Sequence, residues 1–137
     1  MLHLTAADEA DLAVISAQMQ DALIQRADLR YDAKRRRFIL VANRFAWDAL
    51  PEKQRRRAGL HFDDVKAVRV LGLEKAKPDA VLSLLAITFT NQQSPEGMLD
   101  LHFAAGIKIQ FDVAAINATL DDLGGVWSTA QVPAHSS

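Results

Sequence analysis

The chain has 137 residues, of which 50% are hydrophobic and 24% are charged, and its formal net charge is −1. This composition is typical of one folded domain and argues against a disordered chain. The sequence contains no cysteine, which excludes disulfides, thiolate metal sites and cysteine nucleophiles. We therefore expect a single α+β domain over residues 1–127 and a flexible tail over residues 128–137.

The beginning of the sequence shows no basic stretch that leads into an apolar one, as a secretory signal would. The longest strongly apolar run lies near residues 81–89 and has about half the length that a membrane-spanning helix needs. We therefore expect a cytoplasmic protein without a membrane span.

Two periodicities follow each other in the first third of the chain. Leu12, Ile15 and Met19 recur at helical spacing and predict an amphipathic helix over residues 7–20. Alternation of apolar and polar residues then predicts a strand over residues 23–31 and a partner strand over residues 36–44. The polar residues between them indicate a hairpin turn, and the basic segment 51–57 is predicted to be a loop.

Five further strands are predicted by alternation or by unbroken β-branched and apolar runs. They cover residues 59–62, 65–71, 81–90, 98–103 and 107–113. Ala105 and Gly106 lie between the last two and are typical of a tight turn. The sequence thus predicts seven successive strands with short connections, which favours an antiparallel meander.

A closing helix is predicted after the last strand. Asp112 stands where an N-cap residue belongs, and Val113, Ile116, Leu120 and Leu123 follow at helical spacing until two glycines. Trp127 is expected to pack back on this helix or on the end of a barrel. Seven strands followed by one helix is the order of a partly closed pleckstrin-homology-like barrel, in which the last helix plugs one end. An open α+β sandwich with both helices on one face is the alternative.

The near-neutral net charge hides a strongly polarised sequence. Residues 26–69 hold thirteen Lys and Arg against six Asp and Glu, a net charge of +7. Residues 78–137 hold one Lys against six Asp and Glu, a net charge of −5. Two basic runs dominate the first of these segments, one at the predicted hairpin turn and one in the predicted loop.

The two basic runs predict an anion-binding rim, because arginine suits bidentate contacts with phosphate or carboxylate. We expect a non-enzymatic binding or adaptor domain that meets an acidic protein partner, an anionic small molecule or a second copy of the chain. A solvated turn and loop, neutralised by the acidic half of the chain, is the simpler interpretation. The residues of the predicted rim are Lys34, Arg35, Arg36, Arg37, Arg55, Arg56 and Arg57.

A second candidate site lies between Arg44 and Asp48, where Arg44 ends an apolar strand and Trp47 follows Phe45. A pocket walled by Arg44 and Trp47 would suit a small enzyme or a ligand carrier. The structural alternative is a loop anchored by its aromatic rings, with Arg44 paired to Asp48 or Asp28.

The sequence offers little else on which chemistry could depend. None of the four histidines is spaced as metal ligands usually are, and His61 and His102 are predicted to face solvent on strands. Neighbouring acids such as Asp121 and Asp122 point in different directions and do not form an acid–base pair. No nucleophile, phosphate-loop or nucleic-acid motif is present. We therefore predict no cofactor and no metal, regard nucleic acid as a poor fit and favour a protein that is not an enzyme.

Three stretches of the sequence carry a family resemblance: residues 11–17, residues 37–45 and residues 81–87. Together with the closing Asp121–Gly124 segment and Trp127, they resemble an uncharacterised alphaproteobacterial family, domain of unknown function 2948. The resemblance runs through nearly the whole chain. It implies no activity, and no functional residue can be transferred from it.

Overall fold

The structure, a computed structural model, describes residues 2–128, apart from the side chains of residue 75 and residues 125–128. Within that range the chain forms one α-helix and ten strands. The helix α1 is Glu9–Gln18. The strands are β1 His3–Ala6, β2 Ala22–Gln25, β3 Leu29–Asp32, β4 Arg37–Phe45, β5 Gln54–Phe62, β6 Val65–Leu71, β7 Val81–Gln93, β8 Glu96–Phe103, β9 Lys108–Val113 and β10 Ala118–Ser128.

All the strands belong to one antiparallel sheet, in the order β1-β10-β5-β4-β2-β7-β8-β9-β6, with β3 paired to β4. The sheet bends around its core, because Phe111 of β9 lies 4.6 Å from Phe38 of β4 and 5.2 Å from Phe62 of β5, measured between ring centroids. The sheet does not close into a barrel, since β3 and β6 do not pair with each other. The prediction of an antiparallel sheet is confirmed. The predicted meander of seven strands in a plugged barrel is wrong, because ten strands form within the described range and several neighbours in the sheet, such as β10 and β5, are not consecutive in the sequence.

The N-terminal helix forms where the sequence predicted it. Asp8 is its N-cap, and the side chain accepts a hydrogen bond of 2.8 Å from the Asp11 N–H. Leu12 and Ile15 are fully buried against the sheet, as their spacing requires. Ser16 accepts a hydrogen bond of 2.9 Å from the Ile87 N–H, next to a bulge in β7. The helix therefore satisfies a backbone donor near the point where the strand changes register.

The predicted closing helix is wrong. Asp112 does not cap a helix, because its carboxylate pairs with Arg69 through two contacts of 2.8 Å. The chain instead returns as β10 and pairs on one side with β1 and on the other with β5. Ala118 and Leu120 alternate into the core, which is the pattern of a strand buried on one face. Both architectures that required a second helix fail for this reason.

The predicted loop over residues 51–57 is also wrong for residues 54–57. These residues are the first four of β5, and they pair with β4 and β10. Ser128 ends β10, whereas the rest of the predicted tail and the predicted packing of the Trp127 ring lie outside the described residues. No helix in the described part of the chain is long and apolar enough to cross a membrane.

One glycine on β8 is required by a close approach. A Cβ atom on Gly97 would lie 2.3 Å from the Phe89 ring and 2.5 Å from the backbone oxygen of Thr90. Gly59 on β5 has more room, since its nearest neighbour would be the Leu123 side chain at 3.4 Å. The two positions therefore differ sharply in their tolerance for a side chain.

Candidate functional site

The two basic runs lie at opposite ends of the β4–β5 hairpin. Phe38 pairs with Phe62 at the end near the first run, and Phe45 pairs with Arg55 at the other end. Strands rise about 3.3 Å per residue, so the two runs are separated by about 25 Å. The predicted rim residues therefore form two separate surfaces, one at each end of the hairpin.

Intramolecular acids neutralise half of the first run, at the β3–β4 turn. Arg35 pairs with Asp32 at 3.1 Å, and Arg37 pairs with Asp63 at 2.7 Å. A hydrogen bond from the Arg35 backbone N–H holds the pKa of Asp32 below its usual range, and the Arg35 guanidinium adds to this effect. In the described part of the chain, Lys34 and Arg36 make no ion pair.

The second run alternates between the two faces of β5. Arg56 points to the inner face, whereas Arg55 and Arg57 belong to the outer face. The Arg55 guanidinium donates a hydrogen bond of 3.1 Å to the backbone oxygen of Asn43. Burial lowers the pKa of Arg55, and the charge of Asp21 offsets that effect only in part.

Arg57 is exposed and makes no ion pair within the described residues. It lines a small polar depression of about 90 Å³ at the junction of β2 and β4. The two strands share only the pair Leu23 and Asn43 there, so the sheet is locally open. The other lining residues are Leu23, Gln25, Asp28, Val41, Ala42 and Asn43. We call Arg55, Arg57 and Asn43 the outer arginine surface.

Arg44 has no exposed surface, and it lies in a buried ion-pair cluster. Its Nε and Nη2 atoms donate to the two oxygens of Asp122 at 2.7 and 2.8 Å. Its Nη1 atom donates to Asp48 at 3.0 Å. Arg56 approaches the same Asp122 carboxylate at 3.5 Å. The Leu2 N–H also donates to Asp122, at 2.8 Å, so the cluster ties β4, β5, β10 and the start of β1 together.

The cluster forms because β4, β5 and β10 are neighbours, and on each strand the inward-facing apolar residues give way to a charged residue at the same end of the sheet. Ala42 precedes Arg44 on β4, and Leu120 precedes Asp122 on β10. Burying one such charge alone is costly, whereas a bidentate pair with further hydrogen bonds offsets much of that cost. The cluster therefore closes one end of the apolar core.

The protonation states in the cluster follow from this geometry. Burial alone would raise the pKa of Asp122, but the hydrogen bonds from Arg44 and the Leu2 N–H and the charges of Arg44 and Arg56 more than offset it, so the pKa lies below its usual range. Burial likewise opposes the charge of Arg44, and its contacts with Asp122 and Asp48 outweigh that and raise its pKa. Both groups stay ionised at neutral pH.

The aromatic residues beside Arg44 anchor the loop. The Trp47 indole N–H donates to the backbone oxygen of Gln20 at 3.0 Å, and the Phe45 and Trp47 rings pack edge to face at 4.6 Å. Because Arg44 is fully buried and Trp47 is tied to the chain before β2, these side chains support the structural alternative over a ligand pocket. The expected pairing of Arg44 with Asp48 is confirmed.

Sequence reasoning missed Asp122 as the main partner of Arg44. The signal lay in the charge polarity of the chain, because a surplus of acids near the C-terminus complements the basic first half. Folding brings them together: Asp122 meets Arg44, Asp112 meets Arg69, and Glu96 lies 3.5 Å from Lys66.

Little in the geometry points to catalysis. The described residues contain no group of three or more His, Cys, Asp or Glu side chains that could hold a metal ion. His102 forms a hydrogen bond of 2.8 Å with Thr88 on the outer face of the sheet, and His61 lies 3.5 Å from Asp63. At the centre of the strongest electrostatic feature, the side chains of Arg44 and Asp122 are buried.

The protein is thus an antiparallel-sheet domain, and buried ion pairs around Arg44 and Asp122 close one end of its core. The chain belongs to the family described as Protein of unknown function (DUF2948), whose model matches residues 2–135. No curated protein and no solved structure matches the chain. The family match confirms the resemblance to an uncharacterised family, and it assigns no activity.

Proposed function

We propose that the domain is a non-enzymatic binding module that uses the outer arginine surface to hold carboxylates of an acidic protein partner. The observation that carries this proposal is Arg57, an exposed guanidinium that makes no ion pair with the residues that the structure describes, beside Arg55 on the same face of β5. Guanidinium groups on a rigid strand are well suited to bidentate contacts with carboxylates. The cytoplasmic location and the alphaproteobacterial origin belong to the same proposal, and they rest on the sequence alone.

The distribution of acids favours a different protein over a second copy of this chain. Asp112 and Asp122 are paired within the chain, and Glu96 lies near Lys66. The C-terminal half therefore offers a weaker acidic face than its net charge of −5 suggests. Self-association through opposite charges, which the sequence permitted, loses most of its basis.

The test measures binding of a fluorescent oligoglutamate peptide to two variants that carry the same change in net charge. The double variant Arg55→Glu and Arg57→Glu reverses the outer arginine surface. The double variant Lys34→Glu and Arg36→Glu reverses the two cations of the first basic run that make no ion pair within the described residues, at the far end of the hairpin. A charge-assisted hydrogen bond contributes about 1.5–3 kcal/mol, so we expect the first variant to weaken binding about tenfold or more and the second to change it little.

Equal weakening by both variants would show that only net charge matters and would overturn the proposal, as would a wild-type protein that does not bind the peptide at low salt. Inorganic phosphate is the competitor. If phosphate displaces the peptide at equal concentration, the site holds a small anion, and the protein-partner proposal is wrong.

A further inference from the structure

The sheet does not close between β3 and β6, which do not pair with each other. Each of them pairs with one strand only, β3 with β4 and β6 with β9. At one end of the gap, the Val65 N–H donates to the Arg36 backbone oxygen at 2.9 Å, and the Tyr31 hydroxyl donates to the Val65 oxygen at 2.8 Å. At the other end, Arg26 donates to the backbone oxygen of Ala76 at 3.0 Å. The two segments are thus tied at their ends and unpaired between them.

We call the unpaired part, residues 29–32 of β3 and residues 68–71 of β6, the β3–β6 seam. It is partly apolar, since Leu29 and Val68 pack against the core and are only partly buried. Val70 and Leu71 are 44% and 50% exposed. An edge strand with exposed apolar side chains and free backbone groups is a ready template for another strand.

The charges beside the seam favour an acidic occupant. Arg30 on β3 and Lys34 and Arg36 at the adjoining turn make no ion pair within the described part of the chain. Lys66, at the start of β6, lies 3.5 Å from Glu96. Several cations at one end of the seam therefore lack counter-charges.

We propose that the seam accepts an extended segment of another protein that alternates apolar and acidic residues and adds to β6 as a strand. Its backbone would pair with the free edge of β6, its apolar side chains would cover Val68 and Val70, and its carboxylates would meet Arg30 and Arg36. Strand addition of this kind takes affinity from main-chain hydrogen bonds and specificity from alternate side chains. The inference does not rest on the outer arginine surface, which lies at the opposite end of the β4–β5 hairpin.

The test uses a fluorescent synthetic peptide of alternating glutamate and valine and the full-length protein. An alternating lysine–valine peptide and a glutamate–valine peptide with N-methylated backbone are the comparison probes. Val70→Lys places a charge at the seam, whereas Val14→Lys, on an exposed position of α1, is the matched control. Hydrogen exchange measures the protection of the amides of residues 68–71.

We expect the glutamate–valine peptide to bind and to slow exchange at residues 68–71, and we expect both comparison peptides to bind at least about tenfold more weakly. Val70→Lys should weaken binding by a similar factor, while Val14→Lys leaves it unchanged. Arg30→Glu is a second seam variant should Val70→Lys unfold. Binding without protection of residues 68–71, unchanged binding to both seam variants, or a peptide-free dimer that Val70→Lys dissociates would each overturn the proposal.

Discussion

Replacing Asp122 by asparagine removes the negative charge that lies against the Arg44 guanidinium and keeps the size of the side chain. Arg44 is fully buried, and the side chain of Asp122 is only 1% exposed. Removing one partner of a buried ion pair costs about 3–5 kcal/mol. Asp48 still accepts from Arg44 at 3.0 Å, so we expect the lower end of that range, about 3 kcal/mol. For a chain of this length, that corresponds to a fall in Tm of roughly 10 °C.

Urea denaturation followed by circular dichroism measures this loss, and the m-value should not change. Asp112→Asn is the matched control, because Asp112 also makes a bidentate contact with an arginine, but Asp112 and Arg69 are 33% and 45% exposed. Exposed pairs contribute about 0.2–1 kcal/mol. If Asp122→Asn costs no more than Asp112→Asn, the ion pair does not hold this end of the core together.

A double variant separates the cost of an unpaired charge from the loss of the pair itself. Arg44→Met alone leaves Asp122 buried without its main partner and should be strongly destabilising. Arg44→Met combined with Asp122→Leu removes both charges and should recover much of the lost stability, since apolar replacements of buried pairs are often neutral. Additive losses in the double variant would mean that the two side chains do not interact as described.

Three further predictions use the same denaturation assay. Gly97→Ala should destabilise the protein by about 2 kcal/mol, and Gly59→Ala by much less; similar losses would contradict the close approach at Gly97. Because the pKa of Asp122 is lowered, the Asp122 carboxylate contributes to the free energy of unfolding at neutral pH, and this contribution is lost as the pH falls below roughly 4. Asp122→Asn should therefore flatten the fall in stability below that pH. An unchanged pH profile in the variant would contradict the lowered pKa. Trp47→Phe should lower the free energy of unfolding by about 1 kcal/mol, because the hydrogen bond to the Gln20 oxygen is lost. Unchanged stability would show that this hydrogen bond does not anchor the loop.

The parts of the fold that sequence reasoning predicted are those with local patterns. Residues 12, 15 and 19 recur at helical spacing, and the strands from residue 65 to residue 113 show apolar runs or a clean period of two. In each case the pattern of side chains alone shows which face is buried. The antiparallel sheet therefore followed from the sequence without any knowledge of distant contacts.

The parts that sequence reasoning missed share one cause. Asp122 and Arg56 face inward, so a buried charge interrupts the alternation of β10 and makes the start of β5 read as a solvated loop. Their burial makes sense only once Arg44 is known to lie between them, and no local pattern reports that contact. Val113 at the end of β9, Ile116 in the connection and Leu120 in β10 also happen to satisfy a helical spacing, which favoured the wrong element.

The candidate surface was predicted only in composition. The basic residues of the two runs were identified, but their division into two surfaces depends on the β4–β5 register, and the neutralisation of Arg35 and Arg37 depends on Asp32 and Asp63. The β3–β6 seam depends on the failure of two distant strands to pair, for which a single sequence carries no signal.

The return of residues 118–128 as a strand between β1 and β5 is the central claim, and an engineered cross-link tests it most directly. The chain has no cysteine of its own, so Thr119→Cys with His61→Cys creates one pair of thiols at directly opposite positions on β10 and β5. Such positions lie about 4.5–5.5 Å apart between Cα atoms, within the range of a disulfide. We predict that mild oxidation forms an intramolecular disulfide in this folded variant and not in one carrying Thr119→Cys with Ile39→Cys, one strand further away. A folded protein in which the Thr119→Cys and His61→Cys thiols both stay free would contradict the account.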